Sequence, residues 1–79
     1  MMKLDIISPD KNVFSGNVQY IELPGINGLF GVLKDHAPLI SALGKGVILI
    51  RDESNQETTF PIHGGVVEVN NNKVVVLAD

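Results

Sequence analysis

Apolar side chains recur at every second position along this chain, in short runs cut by Gly, Pro, Asn, Asp and Ser. A period of two places alternate side chains on opposite faces of a pleated strand, whereas a helix needs apolar residues three and four apart. Leu4 and Ile6 alternate with Lys3 and Asp5, Phe60 and Ile62 flank Pro61, Val67 and Val69 flank Glu68, and Lys73 to Ala78 is valine-rich. No segment carries a helical stripe. The pattern predicts an all-β domain of eight or more short strands, closed as a sandwich or flattened barrel.

The punctuation supports that reading. Ser8-Pro9-Asp10-Lys11-Asn12 supplies turn chemistry after the first strand, and Ser15-Gly16-Asn17 reads as the next turn. Gly64-Gly65 is expected to break a ladder, Asn70-Asn71-Asn72 to close a hairpin, and Pro61 to lie on an edge or bulge because it cannot donate to a neighbouring strand. In Val18 to Leu23, Ile21 and Leu23 are expected to face the core with Gln19, leaving Val18, Tyr20 and Glu22 on the other side. The run Val47 to Ile50 is apolar on both faces, so one face packs internally and the other needs cover from a second sheet or a partner.

A chain of 79 residues without cysteine holds one domain, residues 1–79, and no disulfide or thiolate metal site can brace it. Stability must come from its 44% apolar residues or from a partner. Six Lys and Arg against nine Asp and Glu give a net charge of −3, which argues against nucleic acid and leaves no polybasic membrane patch. Lys3 and Asp5 interrupt any signal core at the N-terminus, and no apolar run reaches the length of a membrane span, so no direct membrane insertion and a cytosolic chain are expected.

Residues able to carry chemistry are sparse. Gly25, Gly28 and Gly31 repeat every third position, unlike a dinucleotide fingerprint, and no helix follows to receive a phosphate. Lys45, in Gly44-Lys45-Gly46, lacks the residues of a P-loop. His36 and His63 lie on separate segments, and with Asp35 they fall short of the three or four convergent ligands that zinc needs. No catalytic, nucleotide-binding or metal residue and no cofactor are therefore expected. His36 sits on a loop defined by Pro38, where it can cap either its own loop or a partner's backbone. Leu29 and Phe30, between Gly28 and Gly31, are adjacent large apolar residues on opposite faces of a strand. Either both faces are buried within the domain or a partner covers one of them.

Phe14 to Gly16 (FSG), LPG and GxFGV within Leu23 to Val32, His36 to Ile40 (HAPLI), Gly64 to Val69 (GGVVEV) and Val76 to Asp79 (VLAD), in that order along essentially the whole chain, closely resemble the epsilon subunit of F-type ATP synthase. The resemblance implies a flattened β-sandwich of about ten strands at the foot of the central stalk, between the gamma subunit and the ring of c subunits. Leu29, Phe30 and Gly31 become candidates for the contact with the c-ring, and Ser8, His36 and Ser41 for the contact with gamma. Where some members place an acidic residue this chain has Leu29, so the implied ring contact is apolar. Full-length members continue after VLAD into a helical hairpin that in some binds ATP, and no ATP binding is expected without it.

The function expected from this resemblance is that of a non-catalytic rotor subunit, peripheral on the cytoplasmic face of a bacterial inner membrane, holding gamma to the ring and coupling ion translocation to ATP synthesis or hydrolysis. The competing classes are a free-standing β-sandwich module that binds a small ligand and a minimal enzyme using His36 with Asp35.

Overall fold

Nine β-strands and no helix make up the computed structural model, which describes all of residues 1–79. They are β1 (Met2–Ile7), β2 (Asn12–Val18), β3 (Tyr20–Gly25), β4 (Gly28–Leu33), β5 (Leu39–Leu43), β6 (Gly46–Arg51), β7 (Glu57–Ile62), β8 (Gly65–Asn70) and β9 (Lys73–Ala78). The all-β expectation holds, with nine strands where the resemblance implied about ten. They form one curled sheet in the order β2-β1-β9-β8-β5-β3-β6-β7, with β4 on the free side of β3. The first five strands make one half and β4-β3-β6-β7 the other.

One long bent hairpin joins the halves. Leu39 lies opposite Val69 and Leu43 opposite Gly65; beyond the corner Gly46 lies opposite Ile62 and Arg51 opposite Glu57. The register never slips, so β5-β6 and β7-β8 are two continuous strands, each folded from one half of the sheet into the other. Gly44-Lys45 and His63-Gly64 form the corner. Gly65 carries the strictest requirement. Its φ is +153°, and a Cβ there would stand 2.2 Å from the Leu77 carbonyl oxygen. No L side chain fits such a position.

Inward-facing residues of both halves enclose one core. Met2, Leu4 and Ile6, Ile21 and Leu23, Ile48 and Ile50, Val67 and Val69, and Val74 and Val76 alternate as the period of two predicts, and each is at most 2% exposed. No polar side chain is buried, so the core rests on apolar burial, about 25 cal/mol per Å² removed from water. Pro61 lies on β7, an edge strand, as its missing donor requires. Asn71 and Asn72 close the β8-β9 hairpin with φ of 50° and 60°, the two left-handed positions of a type I′ turn.

Two local expectations are corrected, and the third, the cover over Val47 to Ile50, finds no second sheet within the domain. Ser15, Gly16 and Asn17 form no turn: they lie inside β2 opposite Asp5, Leu4 and Lys3, with the Ser15 hydroxyl donating to Asp5 at 2.6 Å. Gly16 makes room for the Phe14 ring, whose Cζ would be 3.2 Å from a Cβ there. Val18 is buried along with Ile21 and Leu23, because a bend at Gln19 ends β2 and resets the alternation before β3. The bend is pinned by Gln19, whose N–H donates to the Arg51 carbonyl at 2.8 Å and whose side-chain amide donates to the Asp52 carbonyl at 2.8 Å. The outer face of Val47 to Ile50 receives no cover from within the domain beyond strand neighbours: Val47 is exposed and Leu49 half-buried.

Candidate docking surface

β4 is the free edge of its half-sheet, pairing only with β3: Leu29 lies opposite Pro24, Phe30 opposite Leu23 and Gly31 opposite Glu22. Alternation separates the two large residues. Leu29 is 69% exposed, while Phe30 turns inward, half-buried against the core. Its ring fills the space a Cβ on Gly25 would need, at 3.0 Å. Only Leu29, of this pair, offers a side chain outward. Gly31 lies beneath the Tyr20 ring, which would be 2.9 Å from any Cβ placed there.

Tyr20 belongs to a small polar cluster on the same outer face. Its hydroxyl donates to Glu22 at 3.1 Å, the Arg51 guanidinium stands 5.2 Å from its ring centroid, and Arg51 pairs with Glu57 at 3.0 Å. Partial removal from water pushes the Tyr20 phenol above its ordinary pKa; the hydrogen bond to Glu22 and that carboxylate's charge add to the effect and Arg51 opposes it. Sequence reasoning passed over this cluster because its members are spread over three strands.

The three residues proposed against gamma are not gathered into one patch. Ser8 is half-buried in the β1-β2 turn, its hydroxyl donating to the Lys11 carbonyl at 3.2 Å. Ser41 lies within β5, its hydroxyl turned to the Ala42 carbonyl at 3.4 Å. His36 sits in the β4-β5 loop at the opposite end of the sheet from Ser8. The alternative left open by sequence is decided for the free chain: His36 Nδ1 bonds the carbonyl of Ala37, in its own loop, at 2.6 Å. Asp35 is engaged elsewhere. Its N–H donates to Asn72 Oδ1 at 2.6 Å, and its carboxylate accepts from Asn72 Nδ2 at 3.1 Å. The pair needed for a His36–Asp35 acid–base step is thus not assembled.

The outer faces carry one apolar band and a smaller set of exposed apolar residues, both missed by sequence reading. Across the first half-sheet, Ala42, Val66, Leu77 and Ile7 are successive neighbours on β5, β8, β9 and β1, all exposed. Ile40, 72% exposed, lies beside them. Across the other half Leu29 is exposed opposite a buried Pro24 on β3, and exposed Val47 neighbours exposed Pro61 on β7, so the apolar residues there do not join into a continuous band. Each residue alone is an unremarkable exposed apolar side chain; only strand pairing aligns them. The surface hollows gather no more than two titratable groups each, and no three of His, Asp and Glu converge on a point.

Fold and surface together define a small β-sandwich domain with exposed apolar side chains on both outer faces. A family model described as the β-sandwich domain of the ATP synthase delta/epsilon chain matches residues 1–79. The ATP synthase epsilon chain of Chlorobaculum tepidum is 46% identical over 76 residues, covering 96% of this chain and 86% of that relative. The epsilon chain of Chlorobium limicola is 43% identical over 77 residues, covering 98% and 88%. In a structure of the OSCP, F1 and c-ring of the Euglena gracilis mitochondrial ATP synthase, one chain superposes with a TM-score of 0.92 at 23% identity; this chain spans 98% of its own length and about half, 49%, of that one. The chain belongs to the ATP synthase delta/epsilon β-sandwich family.

Proposed function

We propose that the chain serves as the epsilon subunit of an F-type ATP synthase, a rotor component that holds the gamma subunit to the c-ring and performs no covalent step itself. The observation that carries this reading, beside family membership, is exposed apolar side chains on opposite faces, the band Ala42-Val66-Leu77-Ile7 on one and Leu29, Val47 and Pro61 on the other. A subunit clamped between two partners needs two such surfaces and a stiff body between them, and the continuous bent hairpin joins both faces through one backbone. Ser8, His36 and Ser41 are assigned to the gamma side and Leu29, Phe30 and Gly31 to the ring side, Leu29 by its side chain and Phe30 by holding the edge in place from within.

On this reading the protein lies peripherally on the cytoplasmic face of the bacterial inner membrane, held there by its partners. No helix is long and apolar enough to cross a membrane. The test is purification from native membranes through a tag on this chain. Gamma and the c-ring are expected to co-purify, and ATP hydrolysis by complexes depleted of the chain should pump fewer ions per turnover. Recovery without either partner would overturn the proposal.

A further inference from the structure

The loop from Lys34 to Pro38 is hydrogen-bonded to a distant part of the chain through one residue. His36 bonds only within its own segment, its N–H donating to the Leu33 carbonyl at 3.1 Å and its Nδ1 meeting the Ala37 carbonyl at 2.6 Å. Asp35 reaches across instead. Its N–H donates to Asn72 Oδ1 at 2.6 Å and its carboxylate accepts from Asn72 Nδ2 at 3.1 Å, so one side-chain amide spends both its oxygen and its nitrogen on a single residue of the loop.

The backbone at both ends of this clasp is left-handed, with φ of 66° at Asp35 and 60° at Asn72. Glycine would take either position without strain, so neither turn needs a side chain for its own sake. The two side chains do what two glycines could not: they join the loop to the hairpin. Asn72 is itself held from two directions, by the β8-β9 turn that it closes and by the Lys3 N–H, which donates to its carbonyl at 2.9 Å. It is half-buried, whereas Asp35, Ala37 and Pro38 are exposed. A fixed hairpin therefore stands on one side, an exposed loop on the other, and one side chain connects them.

We infer that Asn72 is a positioning residue: clasped to Asp35, it holds the loop that carries His36 in its docking shape before the partner subunit arrives. A loop ordered in advance has little conformational freedom left to lose on association. The inference rests on the reading that this loop meets gamma, and adds what readies it.

The test is a set of variants of the whole chain, each checked for an unchanged β spectrum and then measured for rebinding to the ATP synthase stripped of this chain. Asn72→Gly keeps the left-handed turn and removes both bonds. Its affinity should fall about tenfold, the cost of ordering one backbone residue anew, and the Asp35 amide should become fast in hydrogen exchange. Asp35→Asn leaves the N–H and an acceptor oxygen in place and should rebind within about threefold of the parent. Asn72→Asp sets two carboxylates face to face and should lose about tenfold; made on top of Asp35→Asn, the same change restores an amide opposite a carboxylate and should recover to within about threefold. A role confined to the turn or to stability would make Asn72→Asp cost the same in both backgrounds, and that result would overturn the inference. Unchanged rebinding of Asn72→Gly with a fast Asp35 amide would overturn it too, while leaving the gamma contact standing. If a histidine reagent modifies His36 as readily in the assembled enzyme as in the free chain, the loop does not meet gamma and the reading falls with the inference.

Discussion

Replacing Phe30 and Leu29 by alanine, one at a time, separates the structural and docking roles of two adjacent residues. Phe30 packs its ring on the core and over Gly25, whereas Leu29 is 69% exposed. Truncating a fully buried phenylalanine costs about 3–5 kcal/mol. Phe30 is only half-buried and lies on an edge strand able to relax, so about 2–3 kcal/mol is expected. A domain of this size holds roughly 4–12 kcal/mol in total. Each kilocalorie shifts the melting temperature of a domain this small by about 4–8 °C. Phe30→Ala should therefore melt about 10–20 °C earlier by circular dichroism, with one cooperative transition. Leu29→Ala should melt within about 3 °C of the parent, since exposed positions rarely exceed 0.5 kcal/mol, yet be poorly retained with the c-ring. Melting of Phe30→Ala within about 3 °C of the parent would refute the inward packing of that ring. A large drop for Leu29→Ala would refute the side-chain alternation along β4.

Three further outcomes follow from the same geometry. Gly65→Ala drives a Cβ against the Leu77 carbonyl at a φ of +153°, and should cost about 3 kcal/mol or more, read as loss of the β spectrum near room temperature. Asn72→Ala removes both bonds to Asp35 and puts alanine at a φ of 60°, for about 1–3 kcal/mol, with the Asp35 amide becoming fast in hydrogen exchange. The raised pKa of Tyr20 favours its neutral form in the fold. Its contribution is fully present below the unfolded phenol value and is lost as pH rises through the higher folded one, so denaturant midpoints should fall at strongly alkaline pH, and less steeply in Tyr20→Phe.

What the sequence by itself determined follows from local chemistry. The period of two excluded helices, Pro61 announced an edge, and the asparagine triplet announced its hairpin, because pleat, missing donor and left-handed turn are properties of a few adjacent residues. The motif order from Phe14 to Asp79 carried the family for the same reason: it can be read along the chain. Misreadings arose where a neighbour overrode the local signal. Ser15-Gly16-Asn17 looks like a turn until β1 pairs along its whole length, and the bend at Gln19 that buries Val18 is held by Arg51 and Asp52, more than thirty residues away. Tertiary structure alone decided the exposed apolar surface. Ile7, Ala42, Val66 and Leu77 form one band only because β1 lies parallel to β9 and β8 stands between β9 and β5. Such register comes from pairing between distant strands, and no stretch of residues carries it alone.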